Sequence, residues 1–136
     1  MARALYAAML FASAVSASSS PADAAAGLAE RLLGSAASTK LSFELLPSCP
    51  QSAPRCARVE NGSSNGTLKI SGSSAVEMAF ALGQFLRKHC LMSFSWAKTG
   101  GHQLKEGVCR ASDAGGWPEL EKPMILNQRT LSLIHI

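Results

Sequence analysis

The chain has 136 residues, 14.2 kDa, 47% hydrophobic side chains and only 16% charged ones, which is one small folded domain and too little for a complete (β/α)₈ barrel of roughly 250 residues. Thirteen basic and nine acidic residues leave a net charge of +4, with no basic run longer than Arg87-Lys88. Nucleic-acid binders concentrate charge into a patch or stripe, so no nucleic-acid partner is expected.

The chain opens like an address. Met1 to Arg3 is a short positive start, Ala4 to Val15 is an apolar stretch of 12 residues, and Val15-Ser16-Ala17 has the small-x-small form that signal peptidase accepts. Residues 1–17 therefore read as a secretory signal peptide, whose removal takes away Arg3 and lowers the charge from +4 to +3. An organellar transit peptide would be Arg-rich and amphipathic, and this segment is neither. At 12 residues the apolar stretch falls short of the roughly 20 needed to cross a bilayer. No membrane span is expected anywhere else, and the predicted destination is the secretory pathway.

Residues 18–106 carry the regular patterns. Ser20-Pro21-Ala22-Asp23 predicts a helix start, with a cap, a proline in the first turn and an early acid. Leu28, Leu32 and Leu33 form a thin apolar stripe, and Gly34 ends the helix. Lys40 to Leu46 alternates at Leu41, Phe43 and Leu45, as a half-buried strand does. Arg55 to Glu60 is a weaker strand, Asn61 to Gly66 a turn, and Thr67 to Ser71 a third strand with Leu68 and Ile70 on one face.

Four cysteines, Cys49, Cys56, Cys90 and Cys109, allow three connectivities in an oxidising compartment. The hexapeptide Pro-Gln-Ser-Ala-Pro-Arg between Cys49 and Cys56 is turn-like, which favours a bridge closing that loop. Cys90 and Cys109 are left either to pair or to stay free, since Cys90 at the end of an apolar helix fits burial as a thiol too. The spacings lack zinc-ligand form, so no metal or other cofactor is expected.

The most ordered pattern runs from Ala75 to His89. Ser74 and Glu77 have the spacing of a capping box, Val76, Ala79, Phe80, Leu82 and Leu86 recur at helical intervals, and Arg87, Lys88 and His89 put positive charge on the last turn. Leu91 to Trp96 then reads as a strand, Lys98 to Gly101 as a turn and His102 to Lys105 as a short returning strand. The expected fold class is α/β: a small sheet of about four to five strands covered on one face by a helix, with an additional N-terminal helix. From 107 to 136 the periodicity fades. That stretch, including the brief apolar run Met124-Ile125-Leu126, is expected to be a linker or poorly ordered tail.

Two triplets, Asn61-Gly62-Ser63 and Asn65-Gly66-Thr67, match the N-glycosylation acceptor pattern, which makes Asn61 and Asn65 candidate glycan carriers and N-glycans candidate partners. The same residues suit a turn needing positive φ. No catalytic residue is assigned. His89 fits a dipole partner at a helix end better than a base. His102 lies in no triad spacing. Glu119 and Glu121 sit in a proline loop rather than flanking a rigid cleft. Ser73 and Ser74 lack the G-x-S-x-G frame of a nucleophile elbow, and Lys98-Thr99-Gly100-Gly101 lacks the Walker spacing.

The strand Leu68-Lys69-Ile70 with Ser71-Gly72-Ser73, the helix Ala75 to Lys88, its exit Phe85-Leu86-Arg87-Lys88-His89-Cys90, the pair Ser95-Trp96, and the turn Lys98 to Gly101 followed by Leu104 occur in one order. In that order they resemble the N-terminal domain of the α-N-acetylglucosaminidase family of lysosomal or vacuolar glycoside hydrolases. The Lys-Thr-Gly-Gly turn and the cysteines at Cys49 and Cys56 resemble plant members most, and the resemblance covers about residues 40 to 105. It implies a small α/β domain preceding a catalytic (β/α)₈ barrel and a helical domain. It also implies a parent enzyme that removes terminal α-linked N-acetylglucosamine with retention, through two glutamates in the barrel. Neither glutamate has a counterpart here. Leu131 to Ile136 does not continue the family pattern, so the expectation is a chain cut before the barrel, inactive alone, whose partner is that barrel. The alternative is a small secreted, glycosylated module that binds carbohydrate or protein through Trp96 and Trp117.

Overall fold

The computed structural model describes residues 19–92, Cys109 and residues 115–127. Helix α1 (Pro21–Leu33) begins on a complete capping box: the Ser20 hydroxyl accepts from the Asp23 N–H at 3.1 Å, and the Asp23 carboxylate accepts from the Ser20 N–H at 3.0 Å. Gly34, at φ +83°, ends α1, and a four-residue helix α2 (Ser35–Ser38) follows that the periodicity does not announce. Strand β1 (Leu41–Leu45) leads through a single 3₁₀ turn (Pro50–Ser52) to β2 (Cys56–Asn61). A turn then joins β2 to β3 (Leu68–Gly72), and helix α3 (Ala75–His89) starts directly after it.

A fourth strand, β4 (Met124–Asn127), comes from the stretch expected to be a tail. Residues 115–127 are instead part of the folded unit, with Trp117, Leu120 and Leu126 in the core. The expectation missed them because a four-residue edge strand is too short for its period to register. The predicted strands Leu91–Trp96 and His102–Lys105 fall largely or wholly outside the described residues.

The sheet order is β1-β3-β2-β4. β1 runs parallel to β3, and β2 runs antiparallel to both β3 and β4. In this register Leu41 and Phe43, Leu68 and Ile70, Ala57 and Val59, and Met124 and Leu126 share one face. Against it lies α3, whose Met78, Ala81, Leu82, Phe85 and Leu86 are buried. That is the i, i+3, i+4, i+7, i+8 stripe of a helix packed on a sheet. The expected stripe was rotated from this one: Val76 is 71% exposed, and Met78 and Phe85 carry the contact. Helix α1 contributes Ala25 and Ala29, buried while its leucines are only partly so, because small side chains let it approach α3 and β1 closely.

The opposite face of the sheet is mostly polar, with Ile125 of β4 standing exposed on it. Lys69 pairs with Glu44 and Arg58 with Glu60 at 2.7 Å, across and along neighbouring strands. Sequence alternation thus decided which face is wet: one row apolar and helix-covered, the other charged and open.

Candidate functional site

Two regions gather the side chains that the sequence offers for chemistry. The first is the junction of β3 and α3, beside a shallow depression lined by Pro54, Arg55, Ser73, Ser74, Val76 and Glu77. Here the hydroxyls are engaged in building the fold. Ser73 Oγ accepts from the Cys56 N–H at 3.2 Å, while the Ser73 N–H donates to the Cys56 carbonyl at 3.0 Å, tying the end of β3 to the start of β2. Ser74 Oγ caps α3 by accepting from the Val76 N–H at 3.2 Å and also bonds the Glu77 carboxylate. The expected reciprocal capping box therefore forms only in part, because Glu77 turns to the serine hydroxyl and to Arg55, 3.8 Å away, rather than to the Ser74 backbone. Glu77 is buried at 5% exposure, with the Ser74 hydroxyl and Arg55 as its partners in the first turn of α3.

Cys49 is bonded to Cys56 in the structure, across a span of 7 residues, and Cys90 to Cys109 across 19. The second pair resolves the alternative left open by the sequence: Cys90 is fully buried, and it is buried as a disulfide.

The second region is the β2–β3 turn with the segment that crosses it. Trp117 N–H donates to the Gly66 carbonyl at 2.9 Å, and Gly66 and Gly116, both at positive φ, bring their backbones against each other. A Cβ on either would stand 2.4 Å from the other strand's backbone, at Gly115 O or Gly66 O respectively. Asn61, the last residue of β2, makes two bonds to Leu120: its Nδ2–H donates to the Leu120 carbonyl at 2.9 Å, and its Oδ1 accepts from the Leu120 N–H at 2.8 Å. Asn65 is exposed at the tip of the turn.

The remaining candidates take structural positions. Trp117 is 3% exposed, meets the ring of Phe85 edge-on at 5.8 Å between centroids, and donates its Nε1–H to the Ala37 carbonyl at 3.3 Å. It is a core residue and cannot stack on a sugar, which removes half of the binding-module alternative. His89 stacks on Phe85 at 5.4 Å in the last turn of α3. Glu119 and Glu121 are exposed on either side of buried Leu120. His102, Trp96 and Lys98 to Gly101 lie outside the described residues. Among the described residues, no cluster of His, Cys, Asp or Glu is disposed to hold a metal, and no helix is long and apolar enough to cross a membrane. What the sequence reading missed was the Asn61–Leu120 pairing and the burial of Trp117. Both join positions more than fifty residues apart, with no local signature.

A four-stranded sheet with one helix-covered face and two disulfides defines a small α/β domain, and the comparisons say which kind. The alpha-N-acetylglucosaminidase (NAGLU) N-terminal domain family matches residues 23–108. The chain belongs to that family, and the match takes in α1 as well as the region from residue 40. Among solved structures, a family 89 glycoside hydrolase from Clostridium perfringens in complex with PUGNAc superposes with a TM-score of 0.61 at 18% identity, covering 79% of this chain. A variant of CpGH89, also from Clostridium perfringens, in complex with its substrate GlcNAc-alpha-1,4-galactose, gives a TM-score of 0.62 at 19% identity over the same share. At these identities the likeness is one of fold. The chain spans 11% of the length of either enzyme. No curated protein matches it.

Proposed function

We propose that this chain is the non-catalytic N-terminal domain of an α-N-acetylglucosaminidase-type glycoside hydrolase, serving as a scaffold for a catalytic barrel. The observation that carries the reading is the family match over residues 23–108 together with a fold shared with about a tenth of a family 89 enzyme. The chemistry of the domain agrees with it: Ser73, Ser74, Glu77 and His89 are all engaged in caps, strand ties or ring stacking. The parent's reaction would remove a terminal α-linked N-acetylglucosamine with retention, one barrel carboxyl protonating the leaving oxygen and a second attacking the anomeric carbon. The domain would contribute by packing. Leu45 (45% exposed) and Val76 (71%) are large apolar side chains left open at the end of the sheet where β1 finishes and α3 begins. Covering them against a barrel would add about 25 cal/mol per Å² of apolar surface removed from water.

The family setting also supports reading residues 1–17 as a secretory leader and the destination as a lysosome-like or vacuolar compartment or the cell exterior. Two disulfides in a chain of this size agree with an oxidising route. The test of the scaffold reading is direct. Purified chain incubated with a chromogenic α-N-acetylglucosaminide is expected to release no chromophore above the buffer rate, and sustained turnover that scales with protein concentration would overturn the proposal.

A further inference from the structure

The two acceptor triplets are not equivalent in the fold, and the difference lies in which edge of each asparagine amide is in use. Asn61 shares a sheet face with Ala57 and Val59, the face turned toward α3, rather than the open charged face. Its Oδ1 accepts from the N–H of Leu120, and its Nδ2–H donates to the carbonyl of that same residue. A side-chain amide that grips both groups of one residue must use the hydrogen lying on the same side as its oxygen. In an N-linked glycan the amide becomes secondary and trans, so the sugar carbon replaces that hydrogen. The cis arrangement that would spare the grip is disfavoured in secondary amides. A sugar on Asn61 and the Asn61–Leu120 pairing therefore exclude each other. Losing the pairing would release the strap that carries buried Trp117 and Leu120 and delivers β4 to the edge of β2. Asn61 and Asn65 are both exposed, so what separates them is the engaged amide of Asn61 and not burial.

We propose that Asn61 is a structural clamp, and that in the folded chain the N-glycan is carried at Asn65 alone. The proposal rests on the secretory reading, and the test separates the two. The full chain is expressed in a eukaryotic secretory host with a strong foreign leader ahead of Met1, so that delivery does not depend on the chain's own N-terminus. The secreted protein is treated with a glycan-releasing amidase in heavy-oxygen water and mapped by mass spectrometry. The expected result is one glycan on the wild type, the same single glycan on Ser63→Ala, which keeps the Asn61 amide but destroys its triplet, and none on Asn65→Gln. A glycan found at Asn61 in the secreted chain, two glycans on the wild type, or a secreted wild type with none would overturn it. The clamp is tested without glycans: Asn61→Ala is expected to lower the melting temperature by at least about 4 °C relative to Ser63→Ala. Equal melting temperatures, with both variants folded, would overturn the clamp. If Asn61→Ala fails to fold, Asn61→Asp, which keeps the acceptor and removes the donor, is expected to fall between it and the wild type, and wild-type melting there would sink the clamp. A parallel expression with the native N-terminus alone decides the leader reading: cytosolic retention there defeats that reading and leaves the glycan result standing.

Discussion

Trp117 shows how much of this domain depends on single contacts made from far away in the chain. It lies 80 residues from Ala37, whose carbonyl accepts its ring N–H, and it fills the space against Phe85. Trp117→Ala is expected to cost about 3–5 kcal/mol, the range for deleting a large buried aromatic side chain, as measured by urea unfolding. Trp117→Phe keeps most of the packing but removes one of two bonds to the Ala37 carbonyl, which still accepts from the Lys40 N–H at 3.3 Å, and a loss of about 0.5–1.5 kcal/mol is expected in the same experiment. Asp23 is the opposite case, fully exposed and local. The Ser20 hydroxyl and the Ser20 N–H, both donating to its carboxylate, hold its pKa below the usual aspartate range. A carboxyl depressed in the folded state stabilises the fold above its ordinary pKa, and that contribution is lost as pH falls through the depressed value. An NMR pH titration is expected to show the Asp23 carboxyl titrating below a free aspartate, with the Ala24 amide shifting alongside it as the α1 cap opens.

Among the elements, the strap of residues 115–127 is the least expected and the most constrained. It crosses the β2–β3 turn where Gly66 (φ +72°) and Gly116 (φ +69°) stack backbone on backbone. Positive φ alone costs a side-chain-bearing residue about 1–2 kcal/mol. A Cβ at Gly116 would also drive into the Gly66 carbonyl, so the strap must lift to make room. Gly116→Ala is therefore expected to destabilise by about 2 kcal/mol or more, with hydrogen exchange speeding up first at β4 and at the Trp117 amide. The control is Gly115→Ala, where a Cβ meets open space and little change is expected. Helix α3 teaches a related lesson. Its sequence holds enough apolar residues for two plausible stripes, and the register of β3 chose the one through Met78, Leu82 and Phe85.

For the molecule as a whole, the two disulfides divide the work unequally. Cys49–Cys56 closes a short loop ahead of β2, while Cys90–Cys109 ties the buried end of α3 across 19 residues. In the chain-entropy model those spans correspond to about 2.5 and about 3.3 kcal/mol of denatured-state constraint. Cys90→Ala/Cys109→Ala is thus expected to lower the urea midpoint more than Cys49→Ala/Cys56→Ala, and more so because Cys90 is fully buried. The open face of the sheet carries the Lys69–Glu44 and Arg58–Glu60 pairs with exposed Ile125 beside them, while Leu45 and Val76 are exposed at the end where β1 finishes and α3 begins.

The local chemistry of the chain was enough to specify its two long helices and its first three strands. Ser20, Pro21 and Asp23 start α1, Ser74 starts α3 between Gly72 and the apolar run, and alternation at Leu41-Phe43 and Leu68-Ile70 writes β1 and β3. Caps and periods act within one or two turns of chain, so they are readable wherever they occur. The family, too, was legible from residues 68 to 104 in order. Other features existed only once the chain had folded back on itself: the fourth strand, the burial of Trp117, the pairing of Cys90 with Cys109 and the grip of Asn61 on Leu120. Each is a bond between residues 19 to 80 positions apart. Such a bond leaves no mark on either partner's neighbours, because its free energy comes from desolvation and geometry that neither segment has alone.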